Sequence, residues 1–248
     1  MVNRWARPAA MAACAAVLLL ISGCLYPQEQ TPGNSVTSRS AVAAVQGAVD
    51  RYLDSTGVLP ILNADQSVPQ YEKFKIDFAK MKRTGYIESV PKAAFENGGT
   101  SVFLIIDEET KPVVKLLDVI VHQGIASIQQ KVDAYRSSHG NANPAGEAAD
   151  PGFHYVDFSK LGVTQPKLVS MYSHRPLELM IDEAGRVYAD YRVDIAEAMK
   201  KAQEQTPEMA IPEDLRRLLI DASDHVPVKS PVYIEAGGIP QAVAQPSS

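Results

Sequence analysis

The chain has 248 residues, of which 46% are hydrophobic and 21% charged, so it is ordinary globular material, enough for one large domain or two small ones. Its formal charge of −5 argues against a polyanion such as nucleic acid as a partner. With only Cys14 and Cys24, a disulfide framework or a cysteine metal site is excluded.

In chain order, Met1 to Pro8 is short and basic, Ala9 to Leu20 is apolar, and small residues follow, which is a signal-peptide plan over 1–23. An apolar run of about 12 residues is too short for a spanning helix, which needs roughly 20. Ile21-Ser22-Gly23-Cys24 resembles a bacterial lipobox. That resemblance implies lipidation of Cys24 as the new N-terminus; an incidental cysteine at the cleavage site of a secreted protein is the alternative. Several acyl chains of the palmitate kind, at about 0.8 kcal/mol per buried methylene, would hold the body at the cell membrane, facing outside the cytoplasm. Removal of 1–23 takes away Arg4 and Arg7 and no acid, lowering the count by two to −7, and also removes Cys14 and Trp5.

Residues 24–40 contain prolines, a glycine and mostly polar side chains, and read as a flexible tether. The body behind it is a tandem duplication. Val42, Val45, Gln46, Val49, Asp50, Tyr52, Ser55 and Gly57 recur 83 positions on as Ile125, Ile128, Gln129, Val132, Asp133, Tyr135, Ser138 and Gly140. Ile76-Asp77-Phe78-Ala79-Lys80 returns as Val156-Asp157-Phe158-Ser159-Lys160 at a spacing of 80, and Leu104 to Glu108 as Leu179 to Glu183 at 75.

The first repeat, 41–121, opens with an amphipathic helix whose apolar residues recur at helical spacing up to Gly57 and Pro60. A short helix capped by Asp77 follows, then a hairpin from strands over Ser101 to Asp107 and Val113 to Val121. The second repeat, 122–193, has the same helix, an exposed Ala/Gly/Pro-rich loop at Asn141 to Gly152, a shorter helix capped by Asp157, and a hairpin over Leu177 to Arg192. Residues 194–248 are predicted to give helices at Ile195 to Gln203 and Glu213 to Ala222, then a tail with one edge strand at Val232-Tyr233-Ile234. The predicted fold is α+β, with the repeats packed as one body around four antiparallel strands in one sheet or two facing hairpins.

The sequence carries no G-x-S-x-G, no P-loop, no dinucleotide fingerprint and no H-E-x-x-H. The pairs Asp107-Glu108 and Asp182-Glu183 read as turn residues before they read as general acids or bases. Asp50 and Asp133 read as solvated helix-face residues, and Tyr52 and Tyr135 as core. The histidines are His122, His139, His154, His174 and His225, with no metal-spaced pair, so no metal and no cofactor is expected. His139, His154 and His174 have no histidine counterpart in the first repeat. With Arg175 they are expected to form a small polar cluster whose charge depends on pH, and the alternative is three unrelated exposed imidazoles.

The start Cys24-Leu25-Tyr26-Pro27, the segment Val45 to Pro60 and Ile76-Asp77-Phe78 together resemble a family of uncharacterised lipoproteins of spore-forming bacilli. Some of its members are labelled ABC-transporter periplasmic binding protein. The leading expectation is a non-enzymatic, lipid-anchored extracytoplasmic protein acting through protein or cell-envelope contacts. A solute-binding lipoprotein of an ABC transporter is second and an envelope enzyme third.

Overall fold

A computed structural model describes residues 36–205 and 210–244. Cys24, the expected signal segment at 1–23 and the expected tether up to residue 35 lie outside the described residues. The elements are α1 (Val36–Thr56), β1 (Phe74–Lys75), α2 (Phe78–Arg83), β2 (Ser101–Ile106), β3 (Val113–Asp118) and α3 (Val119–Ser138). They continue with β4 (Ala145–Asp150), β5 (Phe153–Val156), β6 (Leu179–Asp182), β7 (Val187–Ala189), α4 (Arg192–Gln205), α5 (Arg216–Ala222), β8 (Val232–Ala236) and β9 (Ile239–Val243). The class is α+β. Among the described residues no helix is long and apolar enough to cross a membrane.

The strands form three antiparallel sheets, β1-β2-β3, β4-β5-β6-β7 and β8-β9, rather than the single sheet or two hairpins expected. The first sheet is buried on both faces. Phe103, Ile105, Val114 and Leu116 face α1 residues Val42, Val45 and Val49 in one core, while Leu104, Ile106 and Leu117 join α3, α4, α5 and the second sheet in the larger one. Single faces of small sheets cannot stand alone, and here each is covered.

The two repeats build the same unit down to individual bonds. Asp77 N–H donates to Pro60 O at 2.8 Å, and Asp157 N–H donates to Pro144 O at 2.8 Å. Ile61 bridges Ile76 as Ala145 pairs Val156. Each unit thus has an outer edge segment, an inner strand, a capped turn and a hairpin. The sequence spacing of 75 for the hairpin is off by one, because Phe74 pairs Ile105 whereas His154 pairs Ile181. The structural counterpart of Ile105 is therefore Ile181.

Several boundaries differ from expectation. α1 starts at Val36, so the last tether residues are helical, and Ser38 already sits in the buried stripe. β3 stops at Asp118 instead of Val121, because the Asp118 carboxylate accepts the N–H groups of Ile120 and Val121 and starts α3 there. The expected loop at Asn141 to Gly152 holds β4, a bulged edge strand of Ala, Gly, Glu and Asp, residues with poor strand propensity. After Asp157 there is a capped turn and no helix, since Gly162 arrives at φ +64° before a second turn can form. The tail is ordered as far as residue 244: β8 gains a partner in β9 across Gly237-Gly238, and Tyr233 is fully buried.

Candidate functional site

In each unit a glutamine of the long helix holds the hairpin. Gln46 Nε2 donates to Asp50 at 2.8 Å and to Pro112 O at 3.1 Å, while its Oε1 accepts Val114 N–H at 2.7 Å. Gln129 Nε2 donates to Asp133 at 2.9 Å and to Gly185 O at 2.8 Å, and its Oε1 accepts Val187 N–H at 2.7 Å. Asp50 and Asp133, expected to be merely solvated, fix which way each amide points. The second hairpin is fastened further by Arg136 bonded to Asn143, whose amide donates to Asp182 O at 2.9 Å.

The units are joined by residues 224–229, hereafter the strap. Leu116 N–H donates to Asp224 O at 2.8 Å and Val226 N–H to Leu116 O at 3.0 Å, adding the strap's head to β3. Ala189 N–H donates to Lys229 O at 2.9 Å, adding its tail to β7. Leu116 and Ala189 occupy equivalent places in the two hairpins, so one segment satisfies the same outward N–H of both. His225, Val226 and Val228 are buried.

Each end of the strap lies in a charged cluster. At the tail, Glu72 is 4% exposed; its carboxylate accepts Lys229 N–H at 2.6 Å and lies 3.2 Å from Lys229 Nζ and 3.7 Å from His122 Nε2. Burial pushes the His122 imidazole below its usual pKa, against the pull of Glu72. At the head, Lys115 reaches from β3 to the end of α5 and donates to Ile220 O at 2.7 Å and Ser223 O at 2.5 Å, satisfying carbonyls that a helix end leaves open. Burial lowers the Lys115 ammonium below the usual lysine pKa, with Asp224 and Asp221 opposing. Arg39, Lys115 and residues 221–224 line an open, polar pocket of about 240 Å³. Of its charges, Asp221 pairs with Arg217 at 2.8 Å, and Arg217 also grips Asp107 with two bonds of 2.8 and 2.7 Å.

A second network ties the C-terminal hairpin to the second unit. Asp190 accepts the hydroxyls of Tyr233 at 2.6 Å and Tyr155 at 3.3 Å, and Asp150 accepts Arg192 at 2.6 Å and Ala242 N–H at 2.9 Å. These carboxylates hold elements together.

The histidines of the polar cluster expected from sequence lie on separate elements. The exposed His139 ring stacks on Tyr135 at 3.9 Å and its Nδ1 lies 2.8 Å from Tyr135 O. His154 is exposed on β5, His174 sits in a turn at φ +59°, and Arg175 pairs with Glu197 at 2.5 Å. No hydrogen bond or ring contact joins any two of the three imidazoles. Among the described residues no group of three His, Cys, Asp or Glu could hold a metal ion. The residues that organise the molecule are instead Glu72, Lys115, His225 and the two glutamines. Only the glutamines left a signal in the sequence, as members of the repeat.

Residues 38–118 match the YphF family N-terminal domain. The match opens in α1 and closes at the last residue of β3, which is one complete helix-and-hairpin unit. Its partner unit lies beyond the match yet repeats its bonds. No curated protein and no solved structure matches the chain.

Proposed function

We propose that the protein is a non-enzymatic, lipid-anchored extracytoplasmic protein of the YphF family, held at the membrane through Cys24, whose body works by contact with another protein of the cell envelope. What supports a contact role is the outer face of the β8–β9 hairpin. Tyr233 and Ala242 turn inward and are buried, while Ile234 and Ile239 on the opposite face are 38% and 64% exposed, with Val232, Ala236 and Val243 beside them. Apolar side chains grouped on one face of a rigid sheet suit a protein partner. Glu72, Lys115, Asp150 and Asp190 inside the body are committed to bracing, which fits a scaffold better than a reaction centre. The second reading, a solute-binding lipoprotein, rests on the 240 Å³ pocket between Arg39 and residues 221–224.

The test is site-specific photo-crosslinking in living cells. A photoreactive residue at Ile239 should give a discrete adduct, and one at exposed Lys200 on α4 should not. No adduct at either position, or the same adducts at both, overturns the contact reading. Replacement of Cys24 by Ala should release the protein from the membrane fraction; full retention overturns the anchor.

A further inference from the structure

We propose that the strap is an acid-released latch: a proton taken up by His225 frees its head from β3 and uncovers that strand's edge, while the charged cluster around Glu72 retains its tail. His225 is 3% exposed and its Nε2 has no hydrogen-bond partner among the described residues. The groups facing it are Asp224 beside it in the strap and Lys115 from β3. Its carbonyl accepts the Tyr172 hydroxyl at 3.1 Å, and its N–H donates to Ser223 Oγ at 2.9 Å. A neutral imidazole tolerates this place. A charged one would carry a buried N–H with nothing to receive it, next to a lysine, and its escape to water breaks the Leu116–Asp224 and Val226–Leu116 bonds.

Burial holds the His225 pKa down to about 4, with Asp224 opposing and Lys115 adding to the shift. The ordinary imidazole value is about 6.5. The closed latch therefore binds fewer protons than the open one, and acid favours opening. The effect starts as pH falls below 6.5 and is complete near 4, at up to tenfold per pH unit, or roughly a hundredfold or more across the window. At the tail, His122 faces Glu72, Lys229 and Lys75, and burial again keeps its pKa low. There the Glu72 carboxylate, 3.7 Å from the His122 ring, is placed to receive a charged imidazole, which nothing does at His225 Nε2 among the described residues, so the latch opens from its head. An uncovered strand edge is a ready template for pairing with another chain.

Amide exchange followed by NMR on the full chain in detergent, corrected for intrinsic rates, tests the latch. Protection of the Leu116 and Val226 amides should fall roughly a hundredfold between pH 6.5 and 4, with Ala189 falling less and Ile105 on β2 staying protected. In His225→Gln the fall at Leu116 and Val226 should vanish. Loss in step with Ile105, or an unchanged fall in His225→Gln, overturns the proposal. Direct titration of the His225 ring in the wild type stands whether or not the variant folds: a midpoint near 4 supports the latch, and one near 6.5 overturns it.

Discussion

Gln46 and Gln129, 83 positions apart, make the same three hydrogen bonds, each spanning from its helix to the turn of the hairpin that the helix covers. A side-chain amide is suited to this because it donates and accepts at once, and the i+4 aspartate fixes its orientation. The shared bonds extend the duplication from residue types to geometry.

Gln46→Ala and Gln129→Ala should each destabilise the fold by about 1–3 kcal/mol, since each strands a backbone N–H, of Val114 or Val187, and a carbonyl. The two costs should be similar, and urea unfolding of both variants measures them. A free substitution at either site would mean that water replaces the amide.

The helix-and-hairpin plan was legible because amphipathic spacing and turn residues act locally, and because it occurs twice. The hairpin register was not. Leu104 to Ile106 and Leu179 to Ile181 are buried on both faces, so nothing in their side-chain pattern alternates and a one-residue slip leaves no trace in sequence. β4 was hidden by its Ala and Gly content, and the strap by Pro227 and because its pairing depends on strands more than 30 residues upstream. Lys115, Glu72 and His225 draw their importance from burial, which composition does not reveal. The histidines that stood out in sequence, His139, His154 and His174, stood out because the copies differ there; surface positions are free to differ.

Gly185→Ala should cost more than Gly140→Ala. Both glycines lie at positive φ, +87° and +61°, so both variants incur roughly 1–2 kcal/mol of backbone strain. At Gly140 an added Cβ meets nothing within 4 Å, whereas at Gly185 it would lie 2.6 Å from Arg136 Nη1 and 2.7 Å from its Cδ. The displaced Arg136 would release Asn143 from the turn. Thermal midpoints of the two variants isolate this contact, and equal midpoints would show that Arg136 moves aside freely.

Arg217→Lys should lower stability by about 1 kcal/mol, or some 2–4 °C in a protein of this size. The guanidinium ties the first hairpin turn, where Asp107 sits at φ +54°, to α5 through two parallel bonds that an ammonium cannot reproduce. The side chain is 33% exposed, which keeps the effect small. A double-mutant cycle with Asp107→Asn measures the coupling directly, and additivity would assign the loss to packing alone.

Asp194 opens α4 with a carboxylate that is 5% exposed and whose Oδ1 has no partner among the described residues. Burial raises its pKa above 3.8, against the pull of the Ser173 and Ser170 hydroxyls, with Glu197 pushing it further up and Arg175 opposing. The helix dipole favours a charge here by about 0.3–1 kcal/mol, but the net direction shows that burial wins. A carboxyl with a raised folded pKa stabilises the fold fully at and below its unfolded value of 3.8, and that contribution is lost as pH rises through the folded value. Asparagine keeps the shape and carries no charge at any pH. Asp194→Asn should therefore be more stable than the wild type at pH 7, and the difference should shrink as pH falls toward 3.8. Urea midpoints of both proteins at pH 7 and pH 4 decide it. A variant less stable at pH 7 would mean that the ionised carboxylate is held by a donor, and that α4 depends on its charge.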